Sequence, residues 1–320
     1  MSANGGYRPR VAIVGASGTV GGQIASLIRE RSFPHTELKL FGSNADVPVG
    51  VEAGDEVLDV DPLKSSSELA DFDIAFLALP PAAAAPILAA APGPILIDLS
   101  GADPPSDGVA PVVAPGLTPR TRISELKTLR RFAVPHPAAQ VIATVLRGLE
   151  IEGGFAGAAV LLAAASRGRK AIAALFNQSV DVLNTRLDLG DDETQAAFNV
   201  FLPAEADAIA RTIATQVAAL SGVPLPTVQV AYVPAFHGGA VAMFLPPGPA
   251  LESARTRLRD APGIVLVESG EASSFVDAAT QEAVIAKLTV SPAGATLWCV
   301  FDPARVAALA ALWIAETLNA

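Results

Sequence analysis

The sequence predicts an α/β protein: an N-terminal Rossmann-type domain with a parallel sheet, followed by a second α/β domain with a mixed sheet. Three observations carry that prediction. The chain opens on a β-branched run, Arg10–Val14, that leads through a glycine turn into a helical pattern. Strand and helix signals then alternate through the first third, as expected for parallel strands joined by right-handed crossovers. Beyond residue 131, strand runs become denser and the helices between them fewer.

The bulk properties agree. A chain of 320 residues exceeds the usual size of one core, so two domains are expected. With 51% hydrophobic and 17% charged residues, a disordered or solvating chain is excluded. Aromatics are only 5%, so Ala, Val, Leu and Ile must build the core. The net charge of −10 argues against nucleic acid and anionic membrane surfaces, both of which need clustered Lys and Arg. The sole cysteine, Cys299, leaves no intrachain disulfide or Cys-based zinc site, and no metal site is predicted. That suits the cytoplasm. The mean hydropathy of +0.44 invites a membrane reading, but the longest uninterrupted apolar stretches, 155–165 and 306–315, are too short to span. The first nine residues are polar and Gly-rich, with no apolar signal region.

Taken in order, the first strand is followed by a helix over 23–31, a strand over 37–41 and a strand over 73–78. An Ala-rich helix over 82–91 and a strand over 95–98 continue the alternation. The later part reads as a helix over 138–149, a long apolar strand over 156–164, and helices over 169–184 and 204–221. Strands over 228–233, 239–245, 264–267, 284–290 and 296–301 follow, and the closing stretch 303–318 is helical.

The turn between the first strand and helix is Gly15-Ala-Ser-Gly18-Thr-Val-Gly21. Glycines at this spacing let a backbone approach a pyrophosphate, whose charge the helix N-terminus attracts. The strand before and the helix after supply the context that a bare glycine pattern lacks. The same spacing also serves a tight turn kept for packing alone. The candidate cofactor-binding residues are therefore Gly15, Ser17, Gly18, Thr19, Val20 and Gly21, with Ser43 and Asn44 after the second strand placed to bond a ribose. No Arg or Lys stands in the segment 41–46 to meet a 2′-phosphate, so NAD is favoured over NADP.

That turn, with Phe72-Asp-Ile-Ala-Phe-Leu-Ala78, Ile97-Asp-Leu-Ser100, the stretch 166–175, Phe198-Asn199, Val233-Pro-Ala-Phe-His-Gly238 and the closing 307–316, resembles the aspartate-semialdehyde dehydrogenase family over nearly the whole chain. The resemblance implies a dinucleotide-binding domain over 1–132 completed by 303–320, and a dimerisation or substrate-type domain over 133–302. It also implies a homodimer formed through the second sheet, and NAD or NADP as cofactor.

The resembled chemistry needs a Cys thiolate, a proton-moving His and Arg clamps for carboxylate and phosphate. The position expected for the Cys falls on Pro137, or on Ala139 with a two-residue shift, and that for the His falls on Gly239. Val241 stands for the acid, Tyr232 for the substrate Arg, Ala163 for a Gln, and Asp103 or Pro104 for the phosphate Arg. The expectation is a degenerate member of the family without dehydrogenase activity, with a nucleotide-binding or protein-interaction role. The alternative is an active NAD(P)-dependent oxidoreductase on an aldehyde or acyl substrate, its carbonyl polarised by His136, His237 or Tyr232. His136 and His237 flank the expected catalytic positions and could work as an acid–base or weak metal pair, or each could merely fix a loop. Arg167, Arg169 and Lys170 open a helix against its dipole and read as a solvated patch.

Overall fold

The computed structural model describes residues 7–42, 49–53, 56–90, 93–101, 113–118, 126–151, 157–186, 189, 194–248, 251, 253–270, 278 and 283–319. The chain divides into two compact units, Met1–His136 with Ala307–Ala320, and Pro137–Val306.

The first unit is built on a seven-stranded sheet. Its strands are β1 (Arg10–Val14), β2 (Glu37–Gly42), β3 (Val49–Ala53), β4 (Glu56–Pro62), β5 (Ile74–Leu77), β6 (Ile95–Asp98) and β7 (Arg131–Ala133), in the order β3-β4-β2-β1-β5-β6-β7. Every pairing is parallel except β3 with β4. β1 lies centrally, with Ile13 aligned to Leu40 on one side and Phe76 on the other. Both faces of the sheet are covered, which is why β1 reads as an unbroken apolar run.

One face carries helix α1 (Thr19–Glu30). Ile24, Leu27 and Ile28 recur at helical spacing, are fully buried, and contribute about 2 kcal/mol each by burial. The same core includes Ala308, Leu312 and Ile314 of the closing helix. The other face packs helix α2 (Pro81–Ala89) through Ala84, Ile87 and Leu88 against Val14 and Leu77. Pro81 opens α2 at a position whose N–H needs no helical partner.

The second unit has a mixed six-stranded sheet of β8 (Gly157–Leu162), β9 (Thr227–Tyr232), β10 (Gly239–Leu245), β11 (Ile264–Leu266), β12 (Val284–Ser291) and β13 (Gly294–Phe301), ordered β11-β12-β13-β10-β8-β9. Helices α3 (Pro137–Gly148) and α5 (Ala206–Ser221) pack with one face of it. Val160, Val230, Val241, Met243, Leu297 and Cys299 meet Val145, Ile213 and Val217 there. Helix α4 (Arg169–Leu183) follows β8, α6 (Ala254–Asp260) precedes β11, and α7 (Pro303–Asn319) closes the chain. On the opposite sheet face, Phe244 is aligned with Thr296, and Trp298 with Ala242. Phe244 and Trp298 are exposed.

Candidate functional site

The glycine turn is held by backbone bonds. The N–H groups of Gly15 and Ala16 both donate to the Phe41 carbonyl, at 2.8 and 3.0 Å, tying the exit of β1 to β2. Gly18 N donates to Gly15 O at 3.0 Å, and Gly22 N to Gly18 O at 2.9 Å, starting α1. Gly15 takes φ +87°. A Cβ on Gly15 would meet the Ala78 carbonyl oxygen at 2.2 Å, and one on Gly21 would meet Gly15 O at 2.3 Å. Those two glycines are required by packing alone.

Gly18 is different. Among the described residues, a Cβ there would have only Gly15 O within 4 Å, at 3.2 Å, and its backbone is ordinary extended chain. It is also the residue before the first turn of α1, and it has no side chain to accept from the N–H groups of Thr19, Val20 and Gly21. This is the arrangement that lets a phosphate approach a helix start. The Ser17 hydroxyl lies beside Gly42, 3.4 Å from where a Cβ would stand. Ser43 and Asn44, the proposed ribose partners, lie outside the described residues, as do Asp103 and Pro104.

His136 ends the first unit. Burial lowers its pKa to about 4, so at neutral pH the ring is uncharged. Pro137 opens α3, where a ring without an N–H is tolerated and no nucleophile exists. Ala139 is fully buried. Cys299 sits in mid-strand on β13 with no exposed surface, and burial pushes its thiol up to about 12. It is a core residue and no thiolate source.

In the second unit, His237 is exposed in the loop joining β9 to β10. Gly239 opens β10 in a filled site. A Cβ there would lie 2.9 Å from the Phe301 ring and 3.1 Å from Pro303. Val241 is buried in the core, and Ala163 is buried just after β8. Tyr232 ends β9 with 5% of its surface exposed, and its ring packs 5.7 Å from that of Phe201. Burial, then Glu205, raises its pKa, while Arg167 opposes the rise. The Arg167 guanidinium carbon stands 5.3 Å over the Tyr232 ring. No motif or spacing signals that contact.

A groove of about 450 Å³ in the first unit is lined by Arg10, Lys39, Asp61, Lys64 and Phe72 among others. Part of its charge is spent internally: Arg10 bonds Glu37 at 2.9 Å and the Asp71 carbonyl at 2.6 Å, and Lys39 pairs with Asp61. Among the described residues, no three His, Cys, Asp or Glu side chains gather as a metal group. No helix among them is long and apolar enough to cross a membrane.

A parallel sheet whose first strand enters a glycine turn, joined to a mixed-sheet unit, defines the class of two-unit dehydrogenase-fold proteins. Residues 10–123 match the semialdehyde dehydrogenase NAD-binding domain. A USG-1 protein homolog of Pseudomonas aeruginosa is 32% identical, with 96% of this chain and 97% of the relative covered. A probable aspartate-semialdehyde dehydrogenase structure from Pseudomonas aeruginosa superposes with a TM-score of 0.80, at 28% identity and 98% coverage of both chains. Aspartate semialdehyde dehydrogenase II of Vibrio cholerae, in complex with ASA, shares the fold with a TM-score of 0.81 at 22% identity, again covering 98% of both chains. The chain belongs to the semialdehyde dehydrogenase family, among the USG-1 protein homologs.

Proposed function

We propose that this protein keeps the semialdehyde dehydrogenase scaffold without the thiol-dependent reaction, and works as a nucleotide-responsive binding or interaction protein. The observation that carries the reading is the state of its single cysteine. Thioester chemistry needs an accessible thiolate, and Cys299 is a wholly buried thiol with a pKa near 12. Pro137 and Gly239, at the positions expected for nucleophile and base, offer neither group.

The residues of the glycine turn fit a dinucleotide. Gly18 and the first-turn N–H groups of α1 would hold the pyrophosphate, Thr19 and Val20 presenting backbone and Ser17 a hydroxyl at its edge. A bound nicotinamide ring would supply hydride chemistry. NAD is the preferred candidate, because segment 41–46 holds no cation for a 2′-phosphate. The exposed face of the second sheet, with Phe244 and Trp298, supports a homodimer formed through that sheet, and the reduced, core-packed cysteine suits the cytoplasm.

Calorimetric titration of NAD and NADP into the purified protein tests this directly. NAD binding at sub-millimolar concentration, with no turnover of aspartate semialdehyde plus phosphate, is the expected result. No binding of either dinucleotide would leave a scaffold with no nucleotide role. Turnover would restore the oxidoreductase reading, with His136, His237 or Tyr232 as the carbonyl-polarising group.

A further inference from the structure

We propose that Lys64 takes the 2′-phosphate of NADP, so that the protein accepts NADP as well as NAD. The inference rests on the dinucleotide reading above and adds to it the residue that admits the second cofactor.

A dinucleotide laid across the end of a parallel sheet puts its adenosine ribose beyond the second strand. A carboxylate at that place bonds a 2′-hydroxyl and repels a 2′-phosphate. β2 ends on Leu40-Phe41-Gly42, which carries no carboxylate. Gly42 leaves no room for one either, since a Cβ there would lie 2.8 Å from Cγ1 of Val60. The Ser17 hydroxyl, 3.4 Å from the same point, joins this spot to the glycine turn.

Segment 41–46 holds no cation, but the neighbouring strand brings one. β4 runs parallel to β2 with Gly42 aligned to Pro62, and β2 runs parallel to β1, so all three strands exit at the same end of the sheet. Leu63 N donates to Gly42 O at 3.4 Å, and Lys64 is the next residue. The β3–β4 hairpin, folded back beside β2, is what carries Lys64 to this end. Its backbone is held: Lys64 N and Ser65 N both donate to Oε1 of Glu68 at 2.9 Å, in the capping box of the 3-10 turn Ser66–Asp71.

The Lys64 ammonium is exposed and makes no hydrogen bond or ion pair among the described residues. Of the acids close to it in the chain, Asp61 is paired with Lys39 and Glu68 serves the two N–H groups. The charge at Lys64 is therefore uncommitted, on a flexible stem that leaves a fixed backbone. An ammonium with three rotatable donors meets a phosphate as a point charge and needs no planar fork.

The test is a chemical-shift titration of the full-length protein with NADP and with NAD at low ionic strength. In the parent, NADP should bind within about threefold of NAD or more tightly. Lys64→Met should weaken NADP about fivefold, the most that one exposed charge pair supplies, and leave NAD within about twofold. Lys64→Arg should hold NADP near the parent value, because the charge and its donors remain. Lys127→Met removes the same charge from an exposed position four residues before β7, at the opposite edge of the sheet, and should change neither affinity by more than about twofold. A Lys64→Met protein that binds both dinucleotides as the parent does, or loses both alike, would overturn the proposal. So would NADP binding more than about tenfold weaker than NAD in the parent. Failure of the dinucleotide reading looks different: neither NAD nor NADP would bind the parent, and both proposals would fall together.

Discussion

The turn after β1 and the loop before β10 both depend on glycine, but for opposite reasons. Gly15 and Gly21 are crowded by backbone: the nearest atoms to an added Cβ are the Ala78 and Gly15 carbonyl oxygens. Gly239 is crowded by side chains, the Phe301 ring and Pro303. A constraint imposed by backbone belongs to the fold and is shared wherever the fold is shared. One imposed by side chains belongs to this sequence. The glycine turn at the end of β1 is made of backbone, and its bonds run from Gly15 to Gly22. Thiol chemistry needs side chains, and Pro137 and Gly239, at the positions the sequence reading expects for them, carry neither thiol nor imidazole.

The largest effect should come from Gly15→Ala. It combines a positive φ with a 2.2 Å approach to a carbonyl that cannot move without dragging β5. The cost should be about 3 kcal/mol or more, lowering the melting temperature by roughly 6 °C or more in a calorimetric scan. A near-neutral result would mean that the turn can relax, and the argument from backbone crowding would fail.

Gly239→His comes next. Its Cβ must displace the Phe301 ring, a fully buried core group, so overpacking should cost about 2 kcal/mol in denaturant unfolding. Adding Phe301→Leu should return part of that loss, since the two residues touch and their effects cannot be independent. An additive double variant would show that the crowding lies elsewhere. A stable Gly239→His protein would show that the position accommodates a base without remodelling.

Much of this architecture was legible in the sequence. β1, β6 and β10 stand as read because apolar and β-branched runs between glycines and prolines admit few alternatives, and α4 follows its helical spacing. The β3–β4 hairpin was not legible. It lies at the sheet edge, where Glu52, Glu56, Asp59 and Asp61 make a strand sequence read as polar loop. β7 is three residues long, and α6 buries only Ala254 and Leu258 among its seven residues. At the site, the glycine turn could be read because its function and its spacing are the same thing. Arg167 over Tyr232 could not, because the partners are 65 positions apart and meet only through the parallel pairing of β8 with β9.

The smallest change in stability should accompany Gly18→Ala, and it is the most informative. Gly18 has ordinary extended dihedrals and, among the described residues, one neighbour within 4 Å of the added methyl, so the loss should stay within about 1 kcal/mol. A pyrophosphate that approaches the start of α1 would meet that methyl directly, and NAD affinity should fall about tenfold. Packing and binding thus predict different outcomes at adjacent glycines of one turn. If Gly18→Ala leaves NAD binding intact, the backbone of this turn is kept for its fold alone. If it abolishes binding while the protein melts as the parent does, the turn holds the nucleotide through the one glycine that the packing does not require.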